Sequence, residues 1–310
     1  MVWITAVCLV LAGVLLASYY AYRVAFYARG DHQAELYLLP LGEEHEQHRP
    51  QIREQMDRLK AMDYEPVRIR SFDGKSLFAR YYPGREGAPV HIQFHGYRSS
   101  GIRDFCVGAQ VVMELGHHVL LVDQRAHGHS EGRTITFGIK ERRDCQLWCR
   151  YARDRFGPDR PMVLWGVSMG AATVLMAMEL ALPENVRAVI ADCPYSDPKA
   201  MIARVAGAMG LPAKAATGCC RIGALVYGGF RLSQATAVGA VAHAQCPILL
   251  IHGLEDRFVP WQMSQQIQKA APEQICLERF PEAGHAMSCF QDPQRYRQVV
   301  SRFLNAHLPA

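Results

Sequence analysis

The sequence predicts an α/β fold: a mostly parallel, eight-stranded sheet with helices on both faces, preceded by one long apolar segment. Three observations predict it. Eight short apolar runs alternate with helix-length amphipathic stretches, the pattern of strands joined by crossover helices. A Gly-x-Ser-x-Gly sits between one such strand and one such helix. Met1 to Tyr22 carries no charged side chain. Half of the 310 residues are hydrophobic and 20% are charged, which excludes a disordered chain and supplies a core.

Composition excludes other classes. The 34 Lys and Arg exceed the 29 Asp and Glu by only five, with no dense basic run, so nucleic acid is not an expected partner. Ten cysteines include no Cys-x-x-Cys pair; Cys145/Cys149 and Cys219-Cys220 come nearest. Neither has zinc-site spacing, and the set reads as reduced, buried thiols.

The first segment reads as a membrane anchor over residues 1–28. Twenty-two helical residues at about 1.5 Å each reach roughly 33 Å, enough for a hydrocarbon core of about 30 Å. Trp3 stands near one end and Tyr19, Tyr20, Tyr22 and Tyr27 near the other, as amphipathic rings do at bilayer interfaces. No early Lys or Arg and no small-residue cleavage site mark a secretory signal. Arg23 and Arg29 follow the apolar run, so the positive-inside bias places the large domain on the cytoplasmic side, and the unpaired cysteines agree.

Residues 29–63 read as a polar linker ending in an amphipathic helix, with Pro50 in its first turn and Ile52, Met56 and Leu59 on one face. The catalytic domain is expected over 64–310, complete without residues 1–28. Asp73-Gly74 joins the strands 67–72 and 77–82 in a hairpin. Strands follow at 90–94, 118–123, 162–165, 186–191, 248–251 and 275–280. Helices are expected at 102–115, 141–156, 169–180, 261–270 and 293–307. The interval 193–245 exceeds one crossover and is expected to hold a helix and a lid over the site.

Gly-x-Ser-x-Gly occurs twice, so context decides. Gly166-Val167-Ser168-Met169-Gly170 follows the strand Met162–Trp165 and opens a helix, the strand–turn–helix setting of a nucleophile elbow. Gly128-His129-Ser130-Glu131-Gly132 precedes no helix, which makes Ser130 a loop residue. A serine needs a base, and the base an orienting acid. Asp256 and His285 each lie just past the carboxyl end of a strand, where α/β sheets bind ligands. His307 and Asp192 are the rival base and acid. Backbone N–H groups of Met169, at the helix start, and of Tyr97, in His95-Gly96-Tyr97, are the expected oxyanion donors.

From about Tyr64 to His307 the chain resembles the α/β-hydrolase superfamily, in the branch of serine aminopeptidase-like, monoacylglycerol-lipase-like and cinnamoyl-esterase-like enzymes. Its matching pieces run in order: His95-Gly96-Tyr97, Asp123–Ser130, Gly166–Gly170, Asp256 with Val259-Pro260, and Gly284-His285. Ala126 departs from the pattern, which has Gly after Arg. The resemblance implies a membrane-anchored serine hydrolase with the triad Ser168, His285 and Asp256, acting on a small-molecule acyl ester. It implies neither metal nor organic cofactor. A peptidase of the same fold, or a binding module without activity, is the alternative. The segment 193–245 holds Lys199, Arg204, Lys214, Arg221 and Arg231 against Asp197 alone. As a lid it would repel a peptide amine and favour a neutral or acidic acyl group.

Overall fold

A computed structural model describes residues 1–28, Leu39 and 43–308. Of the expected polar linker 29–63, residues 29–38 and 40–42 lie outside the described residues. Helix α1 (Val2–Ala25) opens the chain; α2 (Glu43–Glu46) and α3 (Arg49–Lys60) precede the sheet. Strands β1 (Glu65–Arg70), β2 (Ser76–Tyr82), β3 (Val90–Phe94), β4 (His118–Asp123), β5 (Met162–Val167), β6 (Val186–Asp192), β7 (Ile248–Gly253) and β8 (Ile275–Phe280) form one sheet. Its order is β1-β2-β4-β3-β5-β6-β7-β8. β2 runs antiparallel to β1 and β4, and the remaining neighbours are parallel. The α/β fold with an antiparallel start is therefore as the sequence predicts.

Helices α4 (Gly101–Asp104), α5 (Gly108–Glu114), α6 (Glu141–Phe156), α7 (Met169–Met176), α8 (Pro198–Ala208), α9 (Ala213–Val226), α10 (Ala237–Ala240), α11 (Gln262–Ala270), α12 (Ser288–Gln291) and α13 (Pro293–His307) complete the chain. One core face joins α3, α5 and α13 to the sheet, and the other joins α6, α7 and α11. α3 buries Ile52, Met56 and Leu59, the face its spacing predicts. Two expected elements divide. The single helix over 102–115 is α4 and α5, because Phe105 and Cys106 turn into the core between them. The interval 193–245 holds two long helices, α8 and α9, rather than one.

Register brings the functional loops together. Phe94 at the end of β3 pairs with Gly166 of β5, and Gly253 of β7 pairs with Phe280 of β8. Parallel strands of matched length deliver the loops carrying Tyr97, Ser168, Asp256 and His285 to one edge of the sheet.

The end of α1 belongs to the domain, contrary to the expectation of an independent anchor. Tyr22, Phe26 and Ala28 are buried in a third cluster with Phe137, Met169, Tyr195, Cys220 and Phe230. Phe26 packs edge-on against Phe137 and Phe230, with ring centroids 5.4 and 5.3 Å away. The Ala28 N–H donates to Arg133 O at 2.9 Å, and the Ile135 N–H donates to Phe26 O at 2.8 Å. Of the tyrosines that sequence alone assigns to an interface, Tyr22 fills core volume beside Phe26, while Tyr19 and Tyr20 stay exposed. Phe26→Ala should therefore lower the stability of the full chain by about 3–5 kcal/mol through the lost ring and the cavity left behind. Denaturant unfolding in detergent measures this. A loss below about 1 kcal/mol, the scale of a surface substitution, would mean that α1 rests on the domain without completing its core.

Candidate active site

Ser168 stands between β5 and α7 at φ 54° and ψ −112°, a conformation costly for a residue with a Cβ. The turn is tight on both flanks. A Cβ on Gly166 would collide with the Gly170 backbone, and one on Gly170 with the Phe94 carbonyl. Only glycine fits there, which is why the motif needs both. The Ser168 N–H donates to Asp192 O at 2.8 Å, tying the elbow to β6. Ser130, in the other Gly-x-Ser-x-Gly, spends its hydroxyl on structure. It donates to Asp123 O at 2.5 Å and accepts the Phe78 N–H at 2.8 Å.

His285 and Asp256 meet Ser168 in one hydrogen-bonded chain. The His285 Nδ1 lies 2.7 Å from Asp256 Oδ2, and its Nε2 lies 3.0 Å from Ser168 Oγ. A carboxylate accepts only, so Nδ1 carries the proton and Nε2 is left to accept from the serine hydroxyl. Asp256 is 5% exposed. Its Oδ1 accepts the Phe258 and Val259 N–H groups at 3.0 and 2.7 Å. Its Oδ2 also lies 3.2 Å from His252 Nε2. Burial alone would raise this carboxyl. The nearby His285 charge, with hydrogen bonds from His252 and His285, outweighs burial and holds it well below the usual carboxylate range. His252 is the residue that sequence reading overlooks. Its Nδ1 accepts from Ser264 at 2.7 Å, which leaves the Nε2 proton for Val259 O, 2.8 Å away, and Asp256.

The rival residues lie elsewhere. Asp192 ends β6 and accepts the Tyr296 hydroxyl at 3.2 Å, while His307 ends α13 beside a separate hollow that includes Glu184 and His243.

The loop after β3 presses on Ser168: a Cβ on Gly96 would lie 3.3 Å from Ser168 Cβ. Its own donors and side chains are tethered. The Gly96 N–H donates to Asp104 Oδ2 at 2.7 Å and the Arg98 N–H to His127 Nε2 at 3.0 Å. The Tyr97 hydroxyl donates to Ala25 O at 2.9 Å, and the Arg98 guanidinium to Val24 O and Tyr27 O at 2.7 and 3.2 Å. These last carbonyls are the unsatisfied end of α1, where a cation is favoured. Among the described residues, the Tyr97 and Met169 N–H groups donate to no protein acceptor.

A cavity of about 280 Å³ opens over Ser168 and His285. Ile52, Val167, Phe258, Met287 and Phe290 give it apolar walls, and His45, Arg103 and Asp104 a polar side. Among the described residues, none of the expected lid 193–245 lines this cavity. α8 and α9 pack against the end of α1, Phe137, Met169 and Val259. Arg204 of α8 donates to Phe258 O at 3.0 Å and so braces one cavity wall from behind. The walls come from α3, α4 and α12, for which no chemical motif exists in sequence; only the amphipathic face containing Ile52 pointed to burial. As to metals, Cys193, Asp256 and His285 place ligand atoms within 4.8 Å of one another. Two of those atoms already share the 2.7 Å hydrogen bond, so a cation there would displace it.

A family model described as the α/β-hydrolase fold matches residues 94–211, which includes the elbow and the oxyanion loop. The chain has the α/β-hydrolase fold. It is 26% identical over 196 residues to YqkD of Bacillus subtilis, an uncharacterized protein. It is also 26% identical over 210 residues to the lysophosphatidylserine lipase ABHD12 of Danio rerio. These matches cover 62% and 61% of this chain, but 64% and 49% of the relatives' own lengths. A Pyrococcus furiosus esterase superposes over 81% of this chain and 94% of its own, with TM-score 0.65 and 22% identity. Est1E of Butyrivibrio proteoclasticus, solved with ferulic acid, gives TM-score 0.59 at 20% identity over 78% and 99% of the two chains.

Burial pushes the Asp192 carboxyl up to about 6 from an ordinary 3.8. A raised folded-state value means the folded chain holds this proton longer than the unfolded one. The resulting stability is full below pH 3.8 and is lost as pH rises through about 6. Asp192→Asn should thus be more stable than the parent at pH 8, by about 2–3 kcal/mol on linkage grounds. The two should converge below pH 4. Urea unfolding at both pH values tests this, and a constant difference would show that the carboxyl titrates normally.

Proposed function

We propose that the chain is a membrane-anchored serine hydrolase that cleaves carboxylic esters through an acyl-enzyme. The observation that carries this is the unbroken chain Asp256–His285–Ser168, with contacts of 2.7 and 3.0 Å, beneath a cavity of mostly apolar walls. Ser168 Oγ attacks the acyl carbonyl carbon as its proton passes to His285 Nε2. Asp256 stays ionised and stabilises the imidazolium. The Tyr97 and Met169 amides receive the oxyanion, and the start of α7 adds its dipole. Collapse expels the alcohol, which takes the proton from His285. Water then attacks the acyl-serine with His285 as base, releasing the carboxylic acid. No metal or organic cofactor enters these steps.

The cavity favours an ester over a peptide with a free amine. Capture of an ammonium calls for an available carboxylate, and Asp104 is the one carboxylate among the described lining residues. Its oxygens already accept from Gly96 N–H, Ser99 Oγ and Arg103 Nε. The volume, near the lower end of small-molecule sites, suits a short or medium acyl group. The esterase neighbours of this fold agree with that chemistry.

α1 is 24 residues long, with a mean hydropathy of 2.2 over its most apolar window and 6% of that window buried. We read it as a single-pass anchor, with the catalytic domain on the cytoplasmic side by the bias of Arg23 and Arg29. The activity prediction is direct. Short-acyl p-nitrophenyl esters should show a higher kcat/KM than aminoacyl anilides, and Ser168→Ala should lose about 10⁴-fold or more in kcat with either. A preference for the anilides would establish the peptidase reading. Turnover that survives Ser168→Ala would remove the mechanism.

A further inference from the structure

Resting on the reading of α1 as a membrane helix, we infer that helix α9 is seated in the same bilayer. Its exposed Leu225 and Val226 would then lie in the hydrocarbon beside α1. The contact between α9 and α1 sets the depth of both helices. The charge-free run ends at Arg23, whose guanidinium lies 4.0 Å from the Tyr27 ring centroid and 5.9 Å from that of Tyr19. That cation with its tyrosines marks the headgroup level. Yet α9 touches α1 on the apolar side of this mark. The Tyr227 hydroxyl donates to Leu15 O at 3.1 Å, and its ring packs on Tyr19 and Tyr22 at 5.1 and 5.9 Å. Gly223 approaches Ser18 so closely that a Cβ there would lie 2.5 Å from the Ser18 carbonyl oxygen. Leu15 precedes Arg23 by eight residues, roughly 12 Å of helix. A helix that enters the bilayer up to Arg23 therefore carries the end of α9 down with it.

The chemistry of that end fits hydrocarbon. Leu225 and Val226 are 52% and 55% exposed, a cost in water that lipid removes. The hydroxyl of Tyr227 already has its acceptor on α1, as a polar group in lipid must. Close contact through Ser18 and Gly223 is how helices pair where lipid supplies no hydrophobic drive. Arg221, exposed one turn before Leu225, can extend its head to the phosphates while its stem stays in the apolar layer. The occupant of this face is thus an acyl-chain layer rather than a protein partner.

Depth-dependent fluorescence quenching tests this with the full chain in phosphatidylcholine–phosphatidylglycerol vesicles carrying bromine along the acyl chain. Three proteins are compared, since the chain has four tryptophans: Trp3→Phe as the common background, the parent, whose difference from it reports Trp3 on α1, and Val226→Trp in the Trp3→Phe background, whose difference from it reports α9. Seating predicts that Trp3 and the introduced indole both lose at least half of their emission. Quenching of Trp3 without quenching at position 226 overturns the seating of α9 and leaves the anchor intact. If neither is quenched, the anchor reading fails and the inference with it. Leu225→Trp provides a second exposed reporter on the same end. Soluble-ester turnover should be unchanged in both variants, since neither residue touches the site.

Discussion

The buried Asp256 carboxylate is the interaction on which the site depends. Four donors converge on it: the Phe258 and Val259 amides on one oxygen, His285 and His252 on the other. An ionised group this buried is tolerable only when so fully matched. The match fixes more than charge. It orients the Asp256 loop, sets the proton on His285 Nδ1, and thereby leaves Nε2 facing Ser168. Ser264 and His252 extend the same logic one step outward, since a serine donating to Nδ1 compels His252 to present its other proton toward Asp256. The strain at Ser168 is held against this frame by Gly166, Gly170 and the bond to β6, so Ser168 and His285 are rigid relative to one another.

The N-terminal helix is the second organising element, and it changes the picture of a catalytic domain on a tether. Its last carbonyls hold the side chains of Tyr97 and Arg98, and its Phe26 lies under Phe137 and Phe230. One helix end thus supports both the core and the loop beside the nucleophile. Any force that repositions α1 acts on that loop through three hydrogen bonds, with no intervening linker.

Much of this was legible in sequence, for identifiable reasons. Strand–helix alternation gave β3, β4 and β8 to the residue; β4 has the continuous apolar stretch of a buried strand, while the edge strand β8 carries Glu278 and Arg279 between apolar ends. Ser168, Asp256 and His285, which the structure brings within hydrogen-bond distance of one another, are legible as candidates because each sits at a strand end in a short, chemically constrained motif. Packing between distant segments was not legible. Nothing in the sequence marks Phe26 as core until Phe137 and Phe230, more than a hundred residues on, are seen to enclose it. The same holds for the cavity walls. Ile52, Phe258 and Phe290 carry no motif, and their convergence depends on where α3 and α12 dock. The placement of 193–245 was not legible for the same reason: the length of an insertion says nothing about which side of Ser168 it covers. Ala126 shows the converse. Its φ of 62° in a fully buried turn explains why glycine suits that position and why its replacement leaves the site untouched.

The central claim is that Ser168, and no other nucleophile, forms the covalent intermediate. Reaction of the full chain with a fluorophosphonate, followed by proteolysis and mass spectrometry, tests it most directly. The account predicts one adduct, on the peptide containing Ser168, absent in Ser168→Ala and retained in a folded Ser130→Ala variant. An adduct on Ser130 or on a cysteine, or labelling that persists in Ser168→Ala, would contradict it.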